Sequence, residues 1–258
     1  MQKLESFRAK AALVTGAADG IGLALAEALT QAGARVFISD IAEEKLAKVA
    51  ARIGAKSAPC DVSDAAAVER LVERAWAESG PLDLLCANAG VLVPGSILEV
   101  SPREIEWIFS VNVWGIVNAC KPFVRRLREN DRPGRILLTG SEHSLANPSY
   151  LRSVPLHLYN MTKHAVLSIG ESLRAELEPD SIGVSVLCPG PVVSGLADNS
   201  GAFRPGRFGG PTQIEIGGIE TADAAKIAAL YMPASRAAEI ALKGLQASAF
   251  VIPTHAFQ

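Results

Sequence analysis

Three residues of this chain combine a weak acid, a cation and a hydroxyl at positions that suit proton transfer. Tyr159 and Lys163 are four residues apart, so a helix would place both side chains on one face. A free tyrosine has a pKa near ~10, and an ammonium group one helical turn away favours the phenolate. Tyr159 could then take a proton from an alcohol or return one to a carbonyl, while Ser141 hydrogen-bonds the same oxygen. Taken singly, Tyr159 and Lys163 are an ordinary helix-surface pair and Ser141 is a turn hydroxyl.

A glycine-rich stretch near the start of the chain is typical of a nucleotide-binding turn. The apolar run 11–14 predicts a buried strand, and apolar residues at helical spacing predict a helix over 21–31. Gly16 allows a tight turn between them, Gly20 leaves room for a phosphate, and Gly22 lets the helix pack on the strand. The free N–H groups and the dipole of the helix start attract a pyrophosphate. The spacing Gly-x-x-x-Gly-x-Gly therefore predicts nucleotide binding, with a plain turn as the alternative.

An acidic residue ends the second predicted strand. Asp40 follows residues 35–39, 18 residues beyond Gly22, where an acid can accept both hydroxyls of an adenosine ribose. The same carboxylate would repel a 2′-phosphate, and neither Arg nor Lys lies beside it in the sequence. Asp19 adds a further negative charge. The pattern favours NAD over NADP, while a helix N-cap for residues 43–53 is the alternative interpretation of Asp40.

Two later strand ends also carry residues that could face a ligand. Asp61, which Val62 follows, could meet the adenine ring, or Asp61 or Ser63 could only cap the next helix. The small residues of the Asn-Ala-Gly motif at 88–90 let backbone come close to a ligand. An ordinary strand-end turn is the alternative for this motif.

Strand-like and helix-like segments alternate along the whole chain. The predicted strands cover residues 11–14, 35–39, 56–60, 82–87, 135–139, 182–188 and 249–252. The predicted helices cover residues 21–31, 43–53, 64–79, 101–128, 156–178, 221–230 and 235–246. Asn112 lies in the fourth helix, which should bend near Pro122. Its amide needs partners in an apolar setting, either as a structural clamp or in a water chain, and both roles remain open. Residues 194–220 show little periodicity, which predicts a lid.

Composition excludes several classes of protein. The 258 residues fit one compact α/β unit, and the 49% hydrophobic and 5% aromatic content predicts an aliphatic core. A net charge of −2 offers no electrostatic basis for binding nucleic acid or an acidic membrane. No apolar run approaches the ~18 residues of a membrane span, and residues 1–10 lack the apolar core of a signal peptide. The widely spaced Cys60, Cys86, Cys120 and Cys188 predict reduced core thiols of a cytoplasmic protein, without metal-type clustering.

Six motifs in this order resemble the classical short-chain dehydrogenase/reductase family. They are Thr15-Gly16-x-x-x-Gly20-x-Gly22, Asn88-Ala89-Gly90, Asn112, Ser141, Tyr159-x-x-x-Lys163 and Pro189-Gly190. The resemblance covers nearly the whole chain. It implies a single doubly wound, Rossmann-like domain with a seven-stranded parallel sheet and helices on both faces, assembled as a homodimer or homotetramer. Three departures are a longer loop between Ser141 and Tyr159, Ala87 before the Asn-Ala-Gly motif, and Ser194 after the Pro-Gly turn.

The resemblance also implies roles for individual residues. Lys163 would bind the nicotinamide ribose, and Asn112 would support a water that links Lys163 to solvent. The predicted catalytic residues are Ser141, Tyr159, Lys163 and Asn112. The predicted cofactor-binding residues are Gly16, Asp19, Gly20, Ile21, Gly22, Asp40, Asp61, Val62, Asn88, Ala89, Gly90, Tyr159, Lys163, Pro189, Gly190 and Val192.

The substrate side is less sharply defined by the sequence. His143, Leu145 and Pro191 are candidate substrate contacts, although a loop histidine is more often solvated or structural. Arg204 and Arg207 either grip a carboxylate or are solvated loop charges. Three functions are compatible with these residues: an NAD-dependent secondary-alcohol dehydrogenase or ketone reductase acting on a small molecule, an epimerase or lyase that retains NAD, and a non-catalytic cofactor-binding regulator.

Overall fold

A parallel sheet of seven strands forms the centre of the molecule in the computed structural model, which describes residues 4–151, 154–216 and 228–256. The strands are β1 (Ala11–Thr15), β2 (Arg35–Asp40), β3 (Lys56–Pro59), β4 (Leu84–Ala87), β5 (Gly134–Thr139), β6 (Ile182–Cys188) and β7 (Val251–Pro253). Their order is β3-β2-β1-β4-β5-β6-β7, and each neighbouring pair is parallel. The predicted Rossmann-like α/β fold is therefore confirmed.

Helices cover both faces of this sheet. They are α1 (Gly20–Gln31), α2 (Glu43–Ile53), α3 (Ala65–Ser79), α4 (Pro102–Phe109), α5 (Gly115–Glu129), α6 (His157–Glu176), α7 (Leu196–Ala202) and α8 (Ala234–Gln246). Residues of α1, α2 and α8 form one core, and residues of α3, α5 and α6 form the other. Leu13 and Val14 of β1 belong to different cores, and both are fully buried. A strand buried on both faces reads as a continuous apolar run for this reason.

The direction of strand addition reverses between β1 and β4, which are neighbours in the sheet. The chain adds β2 and β3 toward one edge and β5 to β7 toward the other. Such a reversal opens a crevice beyond the carboxyl ends of the strands, where open α/β sheets bind ligands. Gly16 follows β1 and Asn88 follows β4, so two of the sequence motifs lie at this crevice.

One predicted helix differs from the sequence analysis. The helix expected over 101–128 is divided into α4 and α5 by a π-helical turn at Ser110–Trp114, which contains Asn112. Pro122, where a bend was predicted, lies inside α5. The departure from α-helical geometry is thus about two to three turns upstream of the proline. Such π-helical turns occur frequently at functional sites, where they shift one side chain out of the helical register.

The predicted lid over 194–220 is more regular than its composition suggested. It contains α7 and a short 3₁₀ turn at Gly206–Phe208, and Phe208 is buried. The expectation of an irregular segment is therefore wrong for this part. Residues 217–227 lie outside the described residues, so only the last three residues of the helix predicted over 221–230 are seen, and they are helical.

Candidate active site

The turn after β1 is tight because of its glycines. Gly16 has a φ of +65°, and a Cβ on it would lie 2.7 Å from the Cα of Ala89. A Cβ on Gly22 would lie 2.0 Å from the carbonyl oxygen of Gly16, so α1 packs directly on the turn. Asp19 caps α1 by accepting the first backbone N–H of the helix at 2.6 Å. The next two backbone N–H groups, those of Ile21 and Gly22, lie in the first turn of α1. Helix N-termini bind anions because these N–H groups lack partners within the helix.

Asp40 ends β2 with its carboxylate held by two backbone groups. Oδ2 accepts the N–H of Ala18 at 3.0 Å, and Oδ1 accepts the N–H of Ala42 at 2.9 Å. The N-cap of α2 is Ala42, so the alternative interpretation of Asp40 as that N-cap is wrong. The sequence shows no cation beside Asp40, but α2 brings Lys45 into the wall of the same cavity. The cavity that Asp40 lines therefore contains a cation, contrary to the expectation of an entirely negative environment.

Asp61 faces the lid after β3. Its Oδ1 accepts the backbone N–H and the hydroxyl of Ser63 at 3.0 Å and 2.5 Å, and its Oδ2 pairs with Arg207 at 2.6 Å. Asp64 caps α3 through two backbone N–H groups, so the alternative in which Asp61 or Ser63 is that cap is wrong. Arg207 was expected to grip a ligand carboxylate or to be solvated, and it instead binds a carboxylate of this chain.

Asn88 connects the ends of three strands. Its Nδ2 donates to the carbonyl oxygens of Thr15 at 3.0 Å and Gly16 at 3.1 Å. Its Oδ1 accepts the hydroxyl of Thr139 at 3.1 Å, and the Thr15 hydroxyl accepts the N–H groups of Asn88 and Ala89. The Asn-Ala-Gly motif therefore holds the floor of the crevice rigid, which an ordinary strand-end turn would not do.

Ser141, Tyr159 and Lys163 lie together on the wall of the crevice. Ser141 follows β5, and its Oγ accepts the N–H of His143 at 3.2 Å. Tyr159 and Lys163 lie on α6, with the Lys163 Nζ 5.4 Å from the centre of the Tyr159 ring. The Ser141 hydroxyl is within hydrogen-bonding reach of the Tyr159 hydroxyl. The buried Nζ donates to the carbonyl oxygen of Thr139 at 2.9 Å, which fixes the ammonium at the end of β5.

Burial governs the proton affinities of this group. Desolvation raises the pKa of Tyr159 to about 12, against a hydrogen bond from Ser141 that lowers it, while the charge of Glu142 raises it further. Desolvation lowers the pKa of Lys163 to about 8. The direction for Tyr159 is opposite to the one predicted from Lys163 alone, because the sequence does not reveal how much water the fold removes. Burial thus favours the neutral phenol over the phenolate.

The buried side chain of Asn112 joins two parts of the site through hydrogen bonds. Its Oδ1 accepts the N–H of Val91 at 2.8 Å, and its Nδ2 donates to the carbonyl oxygen of Val91 at 2.9 Å and to the hydroxyl of Thr162 at 3.1 Å. The residue is 1% exposed. These contacts join the loop after β4 to α6 and match the structural clamp of the two roles left open. The water chain stays a prediction.

One cavity of about 390 Å³ reaches from Asp40 past the glycine-rich turn to Tyr159. The predicted cofactor residues line it, except Gly22, which packs on Gly16. His143 and Pro191 also line it. Leu145 is partly buried and packs against the core, and its role as a substrate contact stays a prediction.

Further residues from several elements line the cavity. The substrate end is mostly apolar, and its walls include Leu92, Trp107, Leu151, Val154, Leu156 and Leu196. Lys45 and Tyr231 also line the cavity and, like Trp107, were not predicted from the sequence, whereas Asn199 and Ser200 lie in the predicted lid over 194–220. Trp107 and Lys45 lie on helices. The hydrophobic periodicity of a helix does not show whether one of its residues faces the core, the solvent or a cavity. Nothing local in the sequence marks them as cavity residues.

The lid is fastened across this cavity by polar contacts. Asn199 of α7 donates its Nδ2 to Oδ2 of Asp19 at 2.7 Å and accepts the ammonium of Lys45 at 2.6 Å. Arg207 reaches Asp61 on the far side, as described above. Arg204 stacks over the ring of Trp107 at 4.7 Å and is neither a free loop charge nor a ligand contact. The predicted lid thus touches both the glycine-rich turn and the predicted adenine site.

We expect these contacts to slow opening of the lid. Arg207→Ala should raise the rate of limited proteolysis within 194–216 by about two- to fivefold, because a partly exposed ion pair contributes ~0.2–1 kcal/mol. Addition of NAD should slow cleavage in wild type and variant alike, since the lid has more contacts when the cavity is filled. Arg236→Ala is the matched control, because Arg236 pairs with Glu239 on α8. Equal cleavage of Arg207→Ala and wild type would show that the ion pair does not hold the lid.

Neither a membrane-spanning helix nor a metal-binding cluster is present among the described residues. Within residues 4–151, 154–216 and 228–256, no helix is long and apolar enough to cross a membrane. The same residues contain no group of three or more His, Cys, Asp or Glu side chains placed to hold a metal ion. The four cysteines are free and buried, as predicted.

Comparison with known proteins decides the family. Residues 10–204 match the family model for short chain dehydrogenase. The chain belongs to the short-chain dehydrogenase/reductase family. It is therefore an oxidoreductase that acts on CH–OH groups of small-molecule substrates, as members of this family do.

Individual members of the short-chain dehydrogenase/reductase family are similar over most of the chain. A 1-deoxy-11-beta-hydroxypentalenate dehydrogenase of Streptomyces exfoliatus is 37% identical over 216 residues, 80% of this chain and 74% of that protein. A 2,3-dihydro-2,3-dihydroxybenzoate dehydrogenase of Bacillus subtilis is 34% identical over 203 residues, 75% of this chain and 76% of that one. Among solved structures, a short-chain dehydrogenase/reductase of Burkholderia phymatum in complex with NAD aligns with a TM-score of 0.84 at 29% identity. That alignment covers 98% of this chain and 91% of the other.

Proposed function

We propose that this protein is an NAD-dependent dehydrogenase or ketone reductase that transfers a hydride between NAD and a secondary alcohol or ketone of medium size. One observation carries the proposal: Ser141, Tyr159 and Lys163 lie on the wall of a single cavity that reaches Asp40. We infer that one end of the dinucleotide lies at Asp40 and the other at Tyr159, because both residues line this cavity. The hydroxylated compounds in the names of the two relatives above support an alcohol substrate.

The proton-transfer roles follow from the positions of the side chains. Tyr159 accepts the alcohol proton at its phenolic oxygen, or donates it to the ketone in reverse. Ser141 hydrogen-bonds the same substrate oxygen, because its hydroxyl lies within reach of the phenol. Lys163 holds a positive charge beside the tyrosine ring and would hydrogen-bond the nicotinamide ribose. Asn112 positions α6 through Thr162 rather than touching substrate.

The residues present fit an NAD molecule. The glycine cradle at Gly16 and Gly22 has no room for a Cβ, and the start of α1 offers backbone donors to the pyrophosphate. Asp40 would accept the adenosine ribose hydroxyls, and Asp61 and Val62 would border the adenine. When bound, the oxidised cofactor accepts the hydride and brings a positive ring that favours the phenolate. The NAD complex of the Burkholderia relative supports this assignment.

The wider setting of the enzyme is part of the proposal. Residues 1–258 form one NAD-binding domain with a lid at about 194–220, which the continuous sheet supports. The protein assembles as a homodimer or homotetramer, since Trp114 and Met161 on adjoining helices are 58% and 43% exposed apolar side chains. It works in the cytoplasm, where four free, buried thiols stay reduced.

A panel of secondary alcohols and ketones with both nicotinamide cofactors tests the proposed function. The nicotinamide absorbance should show net NADH formed from at least one alcohol and NADH consumed by the matching ketone. An epimerase or lyase that retains NAD would convert substrate without net NADH, and a regulator would convert nothing. Either result would overturn the proposal.

The pH dependence of the two directions should be opposite. Because the pKa of Tyr159 is raised, the phenolate fraction increases throughout the range from pH 6 upward. At saturating NAD, kcat/KM for alcohol oxidation should therefore rise with pH by up to ~10-fold per unit below an apparent pKa that NAD brings under 10. Ketone reduction needs the protonated phenol and should fall over the same range. An oxidation profile that is flat between pH 6 and pH 10 would exclude Tyr159 as the base.

A further inference from the structure

His143 is a buried polar side chain beside the reacting pair that the proposed chemistry leaves unused. It is 4% exposed and lines the cavity. Its ring makes an edge contact with the ring of Tyr159, with centroids 5.6 Å apart and planes at 83°. Its backbone N–H donates to Oγ of Ser141 at 3.2 Å. The imidazole thus lies against the ring of Tyr159, and the backbone of the same residue contacts Ser141.

The ring nitrogens of His143 are poorly satisfied by the protein itself. Nδ1 is buried and makes no hydrogen bond, and neither does Oδ1 of Asn160, whose side chain favours the protonated ring. Nε2 makes no hydrogen bond with any described residue. A buried nitrogen without a partner is unfavourable, and a ligand that supplies the partner recovers that free energy.

The charge state of this region limits what the ligand group can be. Burial lowers the pKa of His143 to about 4, so the ring is neutral at physiological pH and offers one donor and one acceptor. Glu142 next to it accepts a hydrogen bond from the Tyr150 hydroxyl, and burial raises the pKa of that carboxyl. A neutral ring beside a carboxyl group attracts a hydroxyl or carbonyl and gives no stabilisation to a substrate carboxylate at the same place.

The remaining walls limit the rest of the substrate. Leu92, Leu151, Val154 and Leu156 line the cavity at its substrate end, and three of these side chains form a small apolar cluster of their own. Such a surface favours an aliphatic or alicyclic skeleton, because polar groups there would lose water without gaining a partner. Ser141, Tyr159 and His143 place polar groups on the cavity wall, and the hydroxyl of Ser200 accepts the backbone N–H of Leu92 at 2.9 Å.

We propose that Nε2 of His143 hydrogen-bonds a second, uncharged oxygen on the carbon next to the reacting one. The substrate class is then a vicinal diol or α-hydroxy ketone on an apolar skeleton, and His143 is a specificity-determining residue. This inference rests on the proposed function, because it takes the oxygen between Ser141 and Tyr159 as the reacting one. It requires no proton transfer by His143, whose role is to orient the substrate.

A pair of neutral probes of similar size tests the proposal. Cis-cyclohexane-1,2-diol carries the second oxygen, and 2-methylcyclohexanol replaces it by a methyl group. The ratio of kcat/KM for diol over methyl compound is measured in wild type, His143→Phe and His143→Gln. Phenylalanine keeps a ring against Tyr159 without a nitrogen, and glutamine keeps a hydrogen-bonding group. His157→Phe is the matched control, since His157 is exposed at the start of α6.

We expect the ratio to favour the diol in wild type and to fall about tenfold or more in His143→Phe. Glutamine should restore part of the preference, and His157→Phe should leave the ratio as in wild type. An equal ratio in wild type and His143→Phe would overturn the proposal. An equal loss on both probes would also overturn it, because His143 would then act only by packing on Tyr159.

A binding measurement separates this inference from the proposed function. Calorimetry with Tyr159→Phe in the presence of NAD compares the affinities for the two probes without turnover. Tighter binding of the diol, lost in the Tyr159→Phe/His143→Phe double variant, supports the role of His143 even if no alcohol is oxidised. Equal affinities for diol and methyl compound in Tyr159→Phe would refute it, whatever the alcohol panel shows.

Discussion

Tyr159→Phe should lower kcat for alcohol oxidation by about 10²- to 10⁴-fold, the range of a general acid–base contribution. The substitution removes one hydroxyl and leaves the ring, its edge contact with His143 and its place over Lys163. The affinity for NAD should stay within about threefold of wild type, because the other cofactor-binding residues are untouched. Stopped-flow absorbance gives the hydride-transfer rate, and calorimetry gives the NAD affinity.

A matched tyrosine tests whether the effect belongs to this position. Tyr231→Phe removes a hydroxyl from a side chain that also lines the cavity but is 50% exposed. We expect its kcat to change less than about threefold, since an exposed hydroxyl exchanges its partners with water. A Tyr159→Phe enzyme with wild-type turnover would remove the proposed base, and an equal loss in both variants would point to general damage of the cavity.

NAD should be preferred over NADP by about 100-fold or more in kcat/KM, which corresponds to ~2.7 kcal/mol. A 2′-phosphate at the end of β2 would face the carboxylate of Asp40, and the ribose would lose its hydrogen bonds to that group. Asp40→Ala should narrow the preference mainly by weakening NAD. Because this carboxylate also accepts the N–H groups of Ala18 and Ala42, the melting temperature of the variant is measured alongside.

Lys45 provides a second test of the cofactor preference, which the sequence alone did not suggest. Its ammonium lies in the same cavity wall, paired with Asn199 of the lid, and could attract a 2′-phosphate. If it does, Lys45→Ala should widen the preference for NAD by lowering the efficiency with NADP. Equal efficiency of the wild type with both cofactors, or a preference for NADP, would show that Asp40 serves only its two backbone partners.

The elements of the fold follow from local patterns in the chain. The predicted bounds of α2 and β6 agree with the structure at both ends, because amphipathic spacing and a doubly buried apolar run are strong signals. The division at Ser110–Trp114 was missed, since a π-helical turn depends on contacts of Asn112 with Val91 and Thr162 that are distant in sequence. Helix propensity correctly predicted a helix in this region but did not predict the position of the π-helical turn within it.

The predicted lid is a second segment whose structure the local sequence did not predict correctly. Its composition predicted an irregular segment, yet α7 forms because Ser200 and Asn199 find partners on the loop after β4 and on the glycine-rich turn. Arg204 and Arg207 looked like free charges and instead contact Trp107 and Asp61. Tertiary contacts of this kind override local propensity because each joins residues far apart in the chain.

By itself, the sequence determined the family, the order of strands and helices, and the identities of Ser141, Tyr159 and Lys163, because spacing along one helix or at one strand end is a local property. Only the tertiary structure decided the pKa directions of Tyr159 and Lys163, the presence of Lys45 near Asp40 and the placement of His143 against Tyr159. These depend on how much water is excluded and on which distant side chains meet. Desolvation and proximity are properties of the packed molecule, and no local pattern in the chain encodes them.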